Sequence, residues 1–215
     1  YASLDESRIA GSEEKLGRNS IESYRARAMN AWDAGIDGIY MFNYFNQQGK
    51  VWKELGDPEI LKKLDKVYFA TIRGSGNTTY FPYYQFLNLP TLNPSAPKML
   101  IPGKTEVIKF SIGDDMLLAK EEKSLSKLTL CLQVEGLEKL SEMIVKLNGV
   151  VLTEGSINKN WAEYTLKPEH VKRGYNELEV EGLRKTSAIK LSDMKVVVDY
   201  KESVWSFVVD LFKGN

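Results

Sequence analysis

Cysteine is all but missing from this chain, with Cys131 alone among 215 residues. That excludes an internal disulfide and a metal site built on cysteine pairs. Histidine is as scarce: His170 stands by itself, which rules out a His-pair metal site and argues against a histidine acid–base dyad. No apolar run is long enough to cross a membrane as a helix, and no signal peptide is visible. An excess of charge is lacking too. Lys plus Arg number 29 and Asp plus Glu number 29, so nothing pulls the chain toward nucleic acid or an anionic membrane. A nucleophile elbow is absent, Gly74-Ser75-Gly76 lacks the Lys and flanking strand of a phosphate loop, and Asp114-Asp115 has too few neighbouring oxygen ligands for calcium. No cofactor and no metal are expected.

What is present suits a folded protein. With 43% apolar and 27% charged residues, the chain can bury one large core or two small ones. Its opening, Tyr1-Ala2-Ser3-Leu4, reads as the tail of a strand, so the chain is expected to be a piece of a longer protein. The absence of a leader then says nothing about compartment. Residues 5–17 read as a polar loop. Asn19 and Glu22 have the spacing of a helix cap, and Ile21, Tyr24, Ala28, Ala31 and Trp32 fall on one helical face. Gly35 ends that helix. The apolar run Ile36-Asp37-Gly38-Ile39-Tyr40-Met41-Phe42-Asn43 follows. An apolar run entered from a helix predicts a strand over residues 38–43, buried on both faces as in a parallel sheet. Asp57-Pro58-Glu59 opens a second helix with Ile60, Leu61, Leu64, Val67 and Tyr68 on its apolar face, fading by Arg73-Gly74.

Beyond Gly74 the texture changes. Five prolines, Pro82, Pro90, Pro94, Pro97 and Pro102, interrupt an aromatic stretch that crosses between two parts. Asn77-Thr78-Thr79 fits a glycosylation pattern, meaningful only in a eukaryotic secretory setting. After Pro102 apolar residues alternate: Ile108, Phe110, Ile112; Leu128, Leu130, Leu132, Val134; Met143, Val145, Leu147. Asn148-Gly149 between two apolar runs marks a hairpin. Further strands are expected over 161–166, 176–181, 188–191 and 194–200, with a helical turn at Pro168 and a terminal helix over 203–212. Cys131 falls inside this alternation as a small core residue. The expected fold class is α+β in two parts: a partial (β/α) barrel remnant over 1–74, a Pro- and aromatic-rich crossover over 75–102, and an antiparallel, jelly-roll-like β-sandwich over 103–215.

Tyr24-Arg25-Ala26-Arg27-Ala28 and Ala34-Gly35-Ile36-Asp37-Gly38-Ile39-Tyr40-Met41-Phe42-Asn43-Tyr44 resemble the seventh-helix, eighth-strand region of bacterial TIM-barrel glycoside hydrolases. Leu147-Asn148-Gly149, Trp161-Ala162-Glu163-Tyr164 and Gly174-Tyr175-Asn176-Glu177-Leu178 are similar to galactose-binding-like jelly rolls. The resemblance implies a C-terminal portion of a secreted or periplasmic polysaccharide-degrading enzyme. A complete barrel needs about 250 residues, so most of the catalytic apparatus would lie elsewhere and this portion would be inactive alone. The alternatives are a non-catalytic carbohydrate-binding or interaction module, and a complete small α+β protein.

Glycosidases work with two facing carboxylates. If Tyr1-Ala2-Ser3-Leu4 is the seventh strand, the resemblance puts Asp5 or Glu6 near the nucleophile's place; the plainer reading is a pair of solvated loop acids. Asn43, Tyr44 and Asn46 would lie at the barrel mouth, where amides bond sugar hydroxyls and an aromatic face stacks on a pyranose. Trp161 is the candidate stacking residue of the sandwich, with Asn158 and Asn160 beside it. Trp161 and Tyr164 are an odd number of residues apart and must face opposite sides of one strand. The implied partner is a polysaccharide or oligosaccharide. An open barrel remnant would leave strand edges through which two copies could pair.

Overall fold

The computed structural model describes residues 1–72 apart from 8, 10 and 47, and residues 92–201 apart from 95 and 184–188. Most of the expected crossover, the Asn77-Thr78-Thr79 pattern and the expected helix over 203–212 lie outside the described residues.

The chain folds as an α+β, sheet-rich protein in which antiparallel pairing dominates. Strand β1 (Ala2–Leu4) leads through helices α1 (Ser12–Arg18) and α2 (Ile21–Asp33) into β2 (Ile39–Met41), which pairs parallel to β1. Two one-turn helices, α3 (Val51–Glu54) and α4 (Pro58–Leu61), follow. The remaining strands are β3 (Lys66–Phe69), β4 (Lys98–Leu100), β5 (Glu106–Ile112), β6 (Leu125–Glu135), β7 (Met143–Leu147), β8 (Val150–Val151), β9 (Gly155–Asn158), β10 (Trp161–Thr165), β11 (Gly174–Gly182) and β12 (Ile189–Tyr200), with helix α5 (Met116–Glu121) before β6. One sheet runs β3-β12-β6-β10-β9 with β4 also on β12; the other runs β5-β11-β7-β8.

The alternating residues of the two antiparallel sheets meet in one core. Ile108, Phe110 and Ile112 of β5, Leu178 and Val180 of β11, and Val145 and Leu147 of β7 join Leu128, Leu130 and Leu132 of β6 and Val196 and Val198 of β12 in a single buried cluster. Two sheets sharing one apolar core is the arrangement a β-sandwich requires. At the hairpin, Asn148 has φ 52 and Gly149 φ 84, and Leu147 pairs with Val150. Two successive left-handed residues make the type I′ turn the dipeptide predicts. Asn148 also ties this end together, its amide donating to His170 O at 2.8 Å and to Asn176 Oδ1 at 2.8 Å.

A second, smaller core gathers Leu4, Tyr24, Ala28, Met29, Val51, Leu55 and Leu61 around α2. Here the structure departs from the expectations in four places. Residues 12–18 are helical rather than loop: Glu13 and Glu14 sit in the first turn and Lys15 and Arg18 in the last, which complements the helix dipole. Ser20, not Asn19, caps α2, accepting from Ser23 N at 3.3 Å, while Asn19 Oδ1 accepts from Ser7 N at 2.6 Å. The second helix stops at Leu61, and Val67 and Tyr68 lie on β3 because residues 66–69 find hydrogen-bonding partners in β12. Finally, β2 is not buried on both faces. Tyr40 is 59% and Phe42 41% exposed, since α2 covers only one side of the parallel pair.

The helical layer is fastened to the sheets at several points. Asn30 Nδ2 donates to Ser111 O at 3.0 Å, and Arg173 Nε lies 2.6 Å from Asp33 Oδ1. Gly113 passes so close to α2 that an added Cβ would stand 2.5 Å from Met29 O and 2.7 Å from Met29 C. Both atoms are backbone and cannot turn aside. Gly113→Ala is therefore expected to lower stability by about 1–3 kcal/mol, whereas Gly56→Ala, where a Cβ meets nothing within 4 Å, changes little. Thermal melts of the two variants check this; equal melting points would remove the close approach as a constraint on docking.

Candidate functional site

Two places gather chemistry. The first is the edge where the parallel strands end. Because β1 and β2 run the same way, Asp5 and Glu6 leave from the same edge as Asn43 and Tyr44, and Phe42 N donates to Leu4 O at 2.8 Å to hold the two exits together. Ligands in α/β folds bind beyond such carboxyl ends. Three aromatic rings line up behind this edge: Tyr24 meets Tyr44 edge-on at 5.7 Å, and Tyr44 meets Trp52 edge-on at 5.5 Å. The Arg27 guanidinium lies 4.2 Å from the Tyr24 ring centre, and its Nη1 donates to Asp5 O at 2.5 Å. Burial pushes the Tyr24 phenol up, with Arg27 opposing, and burial pulls the Arg27 guanidinium down.

The candidate residues at this edge are mostly engaged locally. Asp5 Oδ1 accepts from Glu6 N at 2.7 Å, and Glu6 Oε2 stands 3.4 Å from Lys15 Nζ. Asn46 caps its own loop: Oδ1 accepts from Gln48 N at 3.2 Å, and its carbonyl accepts from Trp52 Nε1 at 2.7 Å. Tyr44 packs against the smaller core. Asn43, at φ 55, is exposed, and Asn is a residue type that tolerates this backbone region. Arg27, Tyr24 and Trp52 join this edge without being marked as site residues by the sequence. The i, i+3 spacing of Tyr24 and Arg27 was the available signal.

The second place is a groove of about 460 Å³ on the outer face of the larger sheet, lined by Trp161, Lys195, Cys131, Glu163, Asn158 and Lys127 among others. Strand parity builds it. Trp161 pairs with Gln133 and Asn158, and two residues on, Glu163 pairs with Cys131, which pairs in turn with Lys195. Tyr164, one residue from Glu163, points inward into the core as the odd spacing requires, and burial raises its phenol to about 12. The Lys195 ammonium sits 4.4 Å from the Trp161 ring centre, a cation–π contact. Asn158 Nδ2 donates to Glu163 Oε1 at 3.2 Å. Cys131 is buried as expected but lies under this groove rather than between the sheets, and burial raises its thiol to about 11. An adjoining hollow of about 250 Å³ shares Lys127, Thr129 and Glu163 and extends the trough to Ser156 and Thr165. Trp161 thus lies apart from the residues at the parallel-strand edge.

His170 accepts from Lys167 N at 3.2 Å and closes a helical turn that begins at Pro168. Among the described residues no three His, Cys, Asp or Glu side chains cluster to hold a metal, and no helix is long and apolar enough to cross a membrane.

No family model and no curated protein matches the chain. Among solved structures, 65% of the chain superposes on 21% of a β-porphyranase of glycoside hydrolase family 86 from the human gut bacterium Bacteroides plebeius, at 12% identity and a TM-score of 0.40. It also superposes over 52% of its length on half of the SUMO E3 ligase SIZ2 of S. cerevisiae, at 18% identity and a TM-score of 0.34. At such scores the reading of the fold rests on the strands and cores themselves.

Proposed function

We propose that this chain is the C-terminal part of a carbohydrate-active protein of the TIM-barrel glycoside hydrolase type, and that its jelly-roll-like sandwich touches polysaccharide through the Trp161 groove. The division follows the sequence expectation of 1–74 as the end of a barrel, 75–102 as crossover and 103–215 as sandwich, with β3 and β4 of the first two segments lent to the larger sheet through β12. On this reading the protein is secreted or periplasmic, and the chain alone does not hydrolyse glycosides. The supporting observation is the groove: an indole beside amide, carboxylate and ammonium groups on the outer face of the larger sheet, the combination that can stack on a sugar ring and bond its hydroxyls. The open face of the parallel pair, with Tyr40 and Phe42 exposed, supports the barrel part. Neighbouring barrel strands would pair with the open edges of β1 and β2 in the longer protein, and a second copy would in the chain alone. Asp5 or Glu6 would then belong to the catalytic pair, its partner coming from a strand other than β1 and β2, with Asn43, Tyr44 and Asn46 at the mouth.

A second reading, a non-catalytic binding module, is favoured by the local engagement of Asp5 and Glu6. Affinity gel electrophoresis of the whole chain in a panel of neutral and acidic polysaccharides tests what both readings share. At least one polymer is expected to retard it, and Trp161→Ala is expected to weaken that binding roughly 10- to 100-fold, the effect of losing a central aromatic anchor. Retardation unchanged by Trp161→Ala, or no retardation in any polymer, would overturn the groove as the site.

A further inference from the structure

Elsewhere on the sheets, lysines have carboxylate partners. Lys109 faces Glu177 at 3.8 Å, Lys146 faces Glu179 at 3.6 Å, Lys190 faces Glu135 at 3.6 Å, and Lys98 and Lys104 both hold Glu106 at 3.1 and 2.9 Å. These are the cross-strand and edge pairs expected on an exposed sheet face. The groove is different. Lys127, Lys159 and Lys195 line it, and among the described residues none of them makes an ion pair. Lys195 instead holds its ammonium against the Trp161 ring. Three acids line the groove as well: Glu13 of α1; Glu163, which accepts from Asn158; and Asp199, which stands opposite Lys127 in the strand register, three side-chain rows from Trp161.

The register also sets the spacing. Lys195 is level with Cys131 and Asp199 with Lys127, four residues further back along β6. At roughly 3.3 Å per residue the two levels are about 13 Å apart. A single sugar cannot reach both cations; a chain of several can.

We infer that the groove takes an acidic oligosaccharide, a chain of sugars bearing carboxylate or sulfate groups. Trp161 stacks on one ring, Lys195 pairs with the anionic group beside it, and Lys127 pairs with another further along. This rests on the carbohydrate reading above and deepens it, because an ammonium that makes no ion pair among the described residues, held beside a stacking ring, favours a negatively charged ligand. The site is a linear trough, so length of the ligand matters as well as its charge.

Isothermal titration of the whole chain tests this with four probes: an oligogalacturonate, a sulfated carrageenan oligosaccharide, a neutral cello-oligosaccharide and monomeric galacturonate. The acidic oligomers are expected to bind at least tenfold tighter than the neutral one and the monomer, and to weaken as salt is raised. The carboxylated and sulfated arms tell which anionic group is preferred. Lys195→Met, which keeps the aliphatic stem on the indole, is expected to lose most of that preference; Lys195→Arg keeps it, and Lys190→Ala, outside the groove, leaves it unchanged. Equal binding of neutral and acidic oligomers, still lost in Trp161→Ala, would overturn this inference while leaving the carbohydrate reading intact. An equal loss in Lys190→Ala would reduce the effect to unspecific charge and overturn it as well. Binding by none of the probes would sink both.

Discussion

Asp114→Ala is expected to destabilise the fold by about 3–5 kcal/mol, the cost of leaving a buried charge without its partner. Asp114 and Lys66 are both fully enclosed, with Lys66 Nζ 3.2 Å from Asp114 Oδ1. The same carboxylate accepts from the Tyr68 hydroxyl at 2.9 Å. Lys66 keeps two lesser partners, Leu64 O at 2.9 Å and the Tyr200 ring at 4.7 Å, but neither neutralises it. The truncation thus strands a cation and the Tyr68 hydroxyl in one step, and takes the carboxylate from the Tyr200 hydroxyl as well. Replacing the pair by apolar residues, Lys66→Met with Asp114→Leu, removes the uncompensated charge. It leaves the Tyr68 hydroxyl without an acceptor, worth about 1–3 kcal/mol. Adding Tyr68→Phe removes that as well, and the triple variant is expected to match or exceed the parent.

The pH dependence has a defined sign. Burial outweighs pairing for both partners: it raises the Asp114 carboxyl above its ordinary 3.8 and lowers the Lys66 ammonium below its ordinary 10.5. A carboxyl that holds its proton more tightly when folded adds stability as pH falls from its folded pKa to below 3.8. An ammonium that holds its proton less tightly when folded adds stability as pH climbs from its folded pKa past 10.5. Between these windows the pair is at its least favourable. The gain of the triple variant over the parent, read by chemical denaturation across pH, is expected to be largest on that plateau and to shrink at both ends. A triple variant clearly less stable than the parent on that plateau, or an Asp114→Ala variant as stable as the parent, would refute the account.

Asp193→Ala is expected to cost a similar amount, about 3–5 kcal/mol, or roughly 6–20 °C in melting temperature for a chain of this size. Its consequence is local. Arg18, fully buried at the end of α1, donates Nη2 to Asp193 Oδ1 at 2.6 Å and Nε to Thr71 O at 2.8 Å, and lies 4.3 Å from the Phe69 ring centre. Asp193 is aimed at it by an irregularity between Leu191 and Asp193, where β12 carries one residue more than β6. Burial raises the Asp193 carboxyl against the pull of Arg18. Removing it leaves the guanidinium enclosed without an anion and loosens the helical layer from the sheet. Hydrogen exchange is expected to show lost protection in α1 and α2 first, with β6, β10 and β11 still protected. Arg18→Met with Asp193→Leu is expected to restore most of it. Uniform loss of protection, or a melting point within about 2 °C of the parent, would count against this.

These two ion pairs also mark where the sequence stopped being legible. The turn at Asn148-Gly149 was readable because the backbone region it needs is decided by two residues. The apolar alternation of β5, β6, β7 and β11 was readable because one face of each is buried. Parity also separated Trp161 from Tyr164. The helix α1 was not readable: its last residue, Arg18, is satisfied by an aspartate 175 positions away. The end of the second helix was missed for the same reason, since residues 66–69 look helical by spacing and become strand only when β12 lies beside them. Trp161 was a candidate from sequence alone, but its neighbours Lys195 and Cys131 come from strands that only the sheet order makes adjacent. The apolar run after Gly35 suggested cover on both sides, and the structure supplies it on one.

The place of β12 bears on how the molecule is made. It hydrogen-bonds to β3, β4 and β6, so among the described residues an interior strand of the larger sheet is its last strand to be synthesised. Until residue 200 has left the ribosome, β12, the described partner of β3 and β4, is incomplete, and those strands wait for it while β5 to β11 are made. Such late closure of distant pairings slows folding and lengthens exposure to association with other nascent chains. A truncation just before β12 would remove the strand on which β3, β4 and β6 converge, a heavier loss than its own length suggests.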